Sequence, residues 1–544
     1  MMIALISEKK GVGEVAFVCR VDWFALSYAD AGGGSEKTAE WTKDLVRMIE
    51  YIQSISPVPL TEEQCLYGGV TLLVLLVTGF LWATARKGAP PSAKLGLPFI
   101  GNALAFLDGP IVLIERCYKQ YGPVFTVPVL GKNLTFLIGP ESQAPFFRHP
   151  DEVLSQNEVY GFMKPVFGPG IVYDAPPEKR NQQMQAMANG LVKSARLKAY
   201  VAKIEAETRD YLANWGDEGE IDLLEELSQL TILTASRCLH GDDVREGVFK
   251  EVSELYHDLD KGITPLSFFL PNIPTKAHRV RNRARIAMCE LFGKIIASRR
   301  ADQKAGADTS DKFDVLQIFM DLTYKEGGKL TDDQITGLLI ALLFAGQHTS
   351  SISSTWTTVF SCLDKDIMRR LMEEQTKVYA DSEDGAVTWE KIGEMELLHN
   401  CMKEALRMHP PLIMLMRLAK KDFQVTANGG KDTYTVPKGD IVFTSPAVSM
   451  RLPEVFTNPN KFDPDRFARG EAKKPYSYLG FGGGMHQCMG QQFGFTQVKT
   501  ILSILFREYE IEIVDGVVPE PDYTAMVVGP KGPIKARYRK RAKA

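Results

Sequence analysis

Paired cysteines are missing from this chain. Its 544 residues carry eight cysteines, scattered so that no two stand at a metal-knuckle spacing such as C-x-x-C. A disulfide-dependent scaffold is thereby excluded, and reduced, mostly buried thiols are expected at every cysteine except Cys488. An excess of charge of one sign is missing too. Lys plus Arg number 64 and Asp plus Glu 67, a net −3, which removes nucleic acid as a bulk electrostatic partner. No internal repeat is visible, and no low-complexity tract exceeds the glycine run at 32–34. The glycine-rich run at 481–490 has neither the G-x-G-x-x-G spacing after a strand nor a Lys-Ser or Lys-Thr ending, so it does not read as a phosphate cradle.

What is present is globular in composition, with 45% apolar and 24% charged residues. Residues 64–85 carry no charge and are long enough to cross a bilayer core of roughly 30 Å as one helix. Glu62 and Glu63 precede this run, and Arg86, Lys87 and Lys94 follow it. The basic flank predicts that the C-terminal bulk faces the cytoplasm. A buried core helix is the alternative, against which stand the glycines of the run, such as the pair at 68–69, and the abrupt charged flanks. The run lies too far from Met1 for a cleaved signal peptide. In residues 1–63, Ser35 can cap a helix with Trp41, Leu45, Met48, Ile49 and Ile52 on one face. Glu8, Glu14, Asp22 and Asp30 speak against a transit peptide.

The expected domains are therefore an extension of unknown role (1–63), a transmembrane anchor (64–85), a proline-rich linker (86–98) and a catalytic domain (99–544). Prolines 90, 91 and 98 stiffen the linker. Strand-like runs occupy 124–129 and 135–138, the text from about 187 to 420 is mainly helical, and strand signals return at Val436, 441–444 and 511–514. The fold class expected is mainly α with minor β.

Four constellations carry chemistry. The first is Phe481-Gly482-Gly483-Gly484-Met485-His486-Gln487-Cys488-Met489-Gly490. Its glycines let backbone approach a flat cofactor, and Gly490 leaves room beneath it. Met489, Phe493, Val498, Ile501, Leu502 and Leu505 suggest a helix that follows. Cys488 would then sit at a helix N-terminus, whose partial positive charge favours a thiolate able to ligate haem iron. A plain glycine turn before a helix remains the alternative.

The second is Glu404-x-x-Arg407, on one helix face; alone it reads equally as a solvated ion pair. The third is Phe462-Asp463-Pro464-Asp465-Arg466-Phe467, where Arg466 can complete a Glu–Arg–Arg cluster. The fourth is a helix opened by a capping box at Thr331 and Gln334 and running to about Leu363. It contains Ala345-Gly346-Gln347-His348-Thr349-Ser350. Gly346 beside Thr349 makes room for a ligand, or is a packing glycine.

In this order the four resemble the cytochrome P-450 family, from about Pro90 to the C-terminus. The resemblance implies the P-450 fold behind one transmembrane helix, haem b (iron protoporphyrin IX) on Cys488, and a dioxygen site at the helix glycine and Thr349. A finer resemblance is to the sterol 14-alpha-demethylase branch, carried by Tyr160-Gly161-Phe162-Met163-Lys164-Pro165-Val166-Phe167-Gly168-Pro169-Gly170-Ile171-Val172-Tyr173-Asp174 and by His348, where most members carry an acid. It implies Tyr160, Tyr173, Arg417 and His486 at the haem propionates and Phe162, Met163, Phe167, Ala345, Met416, Met526 and Val527 at the sterol. Arginine and phenol donors suit carboxylates, and aromatics with thioethers suit a rigid apolar tetracycle. Each apolar residue reads equally as core. His348 either relays protons beside the Thr349 hydroxyl or packs against substrate.

The implied partners are a sterol, O2, a membrane and NADPH–cytochrome P-450 reductase, with NADPH used only through that reductase. The implied location is the endoplasmic reticulum membrane, single-pass, with a cytoplasmic catalytic domain. Phenylalanine at 162 resembles the plant-like form and implies preference for obtusifoliol over lanosterol. Two departures stand out. Gln487 replaces a common basic residue, and Asn181 to Met184 lack a basic group, although Arg180 is close. The rivals are a membrane P-450 acting on fatty acids or foreign compounds, a peroxide-rearranging member, and a non-catalytic haem sensor.

Overall fold

A computed structural model of the protein describes residues 88–93, 101–264, 267, 271–306, 314–382 and 384–542. The expected extension, the anchor at 64–85 and much of the linker lie outside the described residues. The chain divides into two compact units, one of residues 1–121 and 125–134, the other of 122–124 and 135–544. In the first, helices Gly101–Asp108 and Pro110–Tyr121 precede strands β1 (Val124–Val129) and β2 (Lys132–Leu137), which pair. The edge of β2 differs from the expected 135–138 because pairing begins beyond the apolar run.

The second unit is mainly helical with minor sheet. Its centre is the helix Asp332–Leu363, here α3, which follows α1 (Phe249–Asp260) and α2 (Lys276–Lys304) in the chain. The capping box that opens α3 is formed: Gln334 N–H donates to Thr331 Oγ1 at 3.2 Å, and Thr331 N–H donates to Gln334 Oε1 at 3.1 Å. By length and composition α3 could cross a membrane, but it is a core helix, buried along most of its length. Its C-terminal half buries a run of serines and threonines. That burial is tolerated because their hydroxyls donate to carbonyls four residues back, as from Ser353 to Thr349 (2.6 Å), Thr355 to Ser351 (2.8 Å) and Thr357 to Ser353 (2.6 Å).

Two further helices build the floor of the unit, α4 (Glu396–Met408) and α5 (Gln491–Glu508). Both pack on α3, and α5 is buried from Phe495 through Phe506. The sheets are small and peripheral. β3 (Leu154–Ser155), β5 (Leu415–Ala419) and β8 (Ile441–Thr444) pair antiparallel, with Arg417 opposite Val442. β6 (Phe423–Ala427) and β7 (Asp432–Val436) form a hairpin. β4 (Glu218–Asp222), β9 (Tyr509–Ile513) and β10 (Lys535–Lys540) form a third sheet with β10 central. Two expectations are corrected here. β4 interrupts the stretch read as helical, and β10 carried no strand signal. Both carry exposed charges that pair across strands, as Arg539 does with Glu510 at 2.6 Å, while Ala536, Tyr538, Ile511 and Ile513 on the other face join the main core.

Candidate functional site

The glycine-rich loop enters α5 through a tight turn. Gly484 has φ +66°, and a Cβ there would lie 2.0 Å from the Phe147 carbonyl oxygen, so only glycine lets the two backbones meet. Cys488 N–H donates to Phe481 O at 3.0 Å and closes the loop. α5 begins at Gln491 with Gly490 as its cap, so Cys488 stands two residues before the cap. Backbone N–H groups of Gly490 and Gln491 still reach the sulfur. Burial raises the free Cys488 thiol above its usual value, and the two N–H groups, which supply the effect expected of a helix start, partly oppose it. The same thiol is exposed to a water-sized molecule. It is the one exposed cysteine among the described residues; Cys117, Cys238 and Cys401 are buried. Gly482 faces open space, and a Cβ at Gly490 would meet only the Cys488 sulfur, at 3.7 Å.

α3 opens in its middle. Residues 335–343 and 350–361 are all buried, but Phe344, Ala345, Gly346, His348 and Thr349 are not, and Ala345 is exposed. A Cβ on Gly346 would touch nothing within 4 Å. One turn of a buried helix therefore faces empty space, as the wall of a cavity does. Thr349 Oγ1 donates to the Ala345 carbonyl at 2.7 Å, which leaves its oxygen free to accept. His348 Nε2 stands 3.3 Å from Asp260 Oδ1 at the end of α1, within ion-pair reach but out of line for a hydrogen bond. The Tyr256 ring lies 5.8 Å from the His348 ring and 4.7 Å from Phe344.

The segment 160–174 is clamped onto α3, because a Cβ on Gly337 would lie 1.9 Å from the Phe167 carbonyl oxygen. Phe162, Met163 and Phe167 are buried in the main core, and Met416 on β5 packs against it. Phe167 meets Phe344 edge-on at 6.0 Å. Val527 packs instead against the cluster of Ile352, Trp356 and Phe360, one turn beyond Thr349, while Met526 is 48% exposed. The structure thus groups Phe162, Met163, Phe167 and Met416, and holds Met526 and Val527 apart from them.

Tyr160 and Tyr173 stack at 4.9 Å, and burial raises both phenols above their usual value. Arg417 is 3% exposed, lies over the Phe146 ring at 4.4 Å and donates to the Phe146 carbonyl. Burial pushes its guanidinium down to about 10, against the pull of Asp151 and Tyr160. Among the described residues no carboxylate lies within ion-pair distance of it. His486 Nε2 is 2.8 Å from Asp151 Oδ1, and its Nδ1 is 2.8 Å from Gln156 Nε2. Arg180, 6% exposed, binds Asp151 and Asn157.

Beneath α3, Glu404, Arg407 and Arg466 are all 0% exposed and form one cluster. Glu404 accepts from Arg407 at 2.8 and 3.0 Å and from Arg466 at 2.8 Å. It is not a solvated pair.

Sequence reasoning missed Asp151, Asp260, Tyr256 and Phe344. Phe344 directly precedes the Ala345 motif and was available as a neighbour; the other three are brought in from distant segments and carry no local signal.

These residues fit a haem. One soft sulfur is accessible, one turn of a buried helix is uncovered, and a buried arginine with no carboxylate partner among the described residues stands beside paired phenols. No group of three or more His, Cys, Asp or Glu among the described residues could hold a metal ion unaided, so a single sulfur suits a metal whose other ligands come with a macrocycle.

Comparison with known proteins agrees. A family model described as Cytochrome P450 matches residues 90–537. The chain is 44% identical to the sterol 14-demethylase of Arabidopsis thaliana, over 88% of this chain and 99% of that protein. It is 46% identical to the obtusifoliol 14-alpha demethylase of Triticum aestivum, over 83% and 98%. To the lanosterol 14-alpha demethylase of Homo sapiens it is 38% identical, over 87% and 91%. Its fold is like that of retinoic acid-bound cyanobacterial CYP120A1, with a TM-score of 0.71 at 23% identity, over 83% of this chain and 99% of that one. With its thiol loop, its opened helix turn and these relatives, the chain belongs to the cytochrome P450 family.

Proposed function

We propose that this chain is a sterol 14-alpha-demethylase, a haem-dependent monooxygenase that removes the 14-alpha methyl group of a sterol precursor as formate in three successive oxidations. The observation that carries the reading is the lapse of burial at residues 344–346, 348 and 349, which uncovers Thr349 and His348 in the middle of a buried helix, in a chain with one exposed cysteine among the described residues. The choice of sterol rests on relatives named for that reaction along nearly their whole length.

Cys488 would hold the iron, and Tyr160, Tyr173 and Arg417 the anionic arms of haem b. When bound, the haem supplies the oxidation by dioxygen of an unactivated C–H bond. The chain supplies pose and protons. Phe162, Met163, Phe167 and Met416 present an apolar wall to the sterol, with Ala345 and Gly346 leaving it room. Each oxidation consumes two electrons and two protons. Asp260 is partly exposed and lies 3.3 Å from His348 Nε2, so the pair would pass protons from solvent toward the Thr349 hydroxyl. Electrons would come from NADPH through a membrane reductase. Residues 64–85 would anchor the chain in the endoplasmic reticulum membrane, with the catalytic domain on the cytoplasmic side and residues 1–63 as an extension. The stretch 86–98 would serve as the linker.

Two results are expected. His348→Ala leaves sterol affinity intact but lowers kcat roughly a hundredfold, the lower range for a positioned proton-transfer group. Sterol titration followed by single-turnover kinetics separates the two effects, and an unchanged kcat removes the relay. Phe162 fills space that a second methyl at C4 would need. Purified enzyme therefore turns over obtusifoliol with kcat/KM about tenfold or more above lanosterol, the scale of one misplaced methyl. Equal efficiencies on the two sterols would remove the plant-like assignment.

A further inference from the structure

The polar groups around His486 form a closed chain that the propionate roles do not explain. Gln156 presents an amide nitrogen to His486 Nδ1 at 2.8 Å. An amide nitrogen only donates, so Nδ1 accepts and Nε2 carries the ring hydrogen. That hydrogen is given to Asp151 Oδ1 at 2.8 Å. Both ring nitrogens are therefore engaged within the protein. The other oxygen of Asp151 takes the Arg180 guanidinium, which also holds the Asn157 carbonyl oxygen of the side chain. Burial disfavours the charged form of Asp151, yet the bonds from Arg180 and His486 hold its carboxyl below the usual range, so it stays ionised. Arg417 remains outside this hydrogen-bonded chain; among the described residues its side chain contacts the Phe146 carbonyl and ring.

We infer that Asp151 is a positioning residue for the haem's carboxylate arms: it locks His486 and Arg180 into a rigid rim and leaves Arg417, beside Tyr160 and Tyr173, to receive the charge. The inference rests on the reading of this corner as the propionate seat. It has a sign that simple electrostatics lacks. An acid beside an anion-binding seat repels the anion, so charge alone says that removing Asp151 tightens haem. A positioning role says the reverse, because His486 and Arg180 are then free to turn away.

The test uses the full-length haem-loaded enzyme and times haem transfer to an excess of a haem-scavenging apoprotein. Asp151→Asn keeps the volume of the side chain and the acceptor for His486 but gives up the charge that holds Arg180. Asp151→Ala gives up both bonds, and Arg417→Leu is the reference. Haem loss is expected to be about tenfold faster in Asp151→Ala and intermediate in Asp151→Asn, the scale of losing a group that orients a ligand shell. The helical unfolding midpoint with excess haem should stay at the wild-type value in Asp151→Asn. Slower or unchanged loss in both Asp151 variants, with faster loss in Arg417→Leu, overturns the role of Asp151 and spares the seat. Unchanged loss in all three removes the seat and the inference together. A midpoint that falls in Asp151→Asn makes the residue structural and also overturns it.

Discussion

Cys488→Ala is expected to leave a folded chain with no sterol turnover and no thiolate-type spectrum in the reduced, carbon monoxide-bound state. The reasons are local. The Cys488 residue is exposed, so little packing is lost with its side chain. The loop is closed by the backbone bond from Cys488 N–H to Phe481 O at 3.0 Å, which alanine retains. What alanine removes is the sulfur. Because burial raises the thiol's pKa, the free thiol stays protonated at neutral pH, and a metal cation must displace that proton to gain its ligand. Circular dichroism and the reduced carbon monoxide spectrum, read side by side, check both halves. A thiolate band that survives the substitution would place the iron on another residue.

The second large effect is on stability. Glu404→Gln preserves shape but removes the one carboxylate shared by two fully buried guanidiniums. Arg407 then keeps the carbonyls of Met450 (2.8 Å) and Pro459 (2.7 Å), and Arg466 keeps Glu471 at 2.8 Å and the Thr457 carbonyl at 2.9 Å. Hydrogen bonds remain, but net positive charge is left in a site with no access to water. Removing one partner of a buried ion pair costs about 3–5 kcal/mol, a large part of the ~5–15 kcal/mol that keeps a domain folded. Asp463 N–H also donates to Glu404 at 3.0 Å, so the loop that leads into the thiol segment loosens with it. The expected outcome is a denaturation midpoint lowered by that amount, with most of the expressed protein lacking haem. A midpoint within about 1 kcal/mol of wild type would mean that the arginines find other acceptors.

Local patterns were the legible part of this protein. The capping box at Thr331 and Gln334, the helix end near Leu363 and the thiol loop are written in consecutive residues, and each is found where its pattern lies. The strand over residues 441–444 was legible for the same reason: a short apolar run in a fully buried position. β4 was not legible, because a mostly exposed Glu-Gly-Glu run lacks the alternation that marks a half-buried strand, whereas β10 alternates Ala536 and Tyr538 with exposed charges over too few residues to stand out. Asp260 and Asp151 were invisible for a different reason. Each lies far along the chain from the histidine it meets, 88 positions from His348 and 335 from His486, and only tertiary packing joins them. For the free Cys488 thiol, burial opposes the helix-start effect. Position near a helix start is a sequence property, whereas desolvation depends on everything folded around the sulfur.

The most direct test titrates the purified ferric enzyme with obtusifoliol and then adds NADPH and reductase, following the Soret band first and formate release afterwards. The account predicts a low-to-high-spin shift that saturates with sterol, and formate formed in proportion to the demethylated sterol. A normal haem-thiolate spectrum with no shift and no formate, while a fatty acid is oxidised under the same conditions, would contradict it.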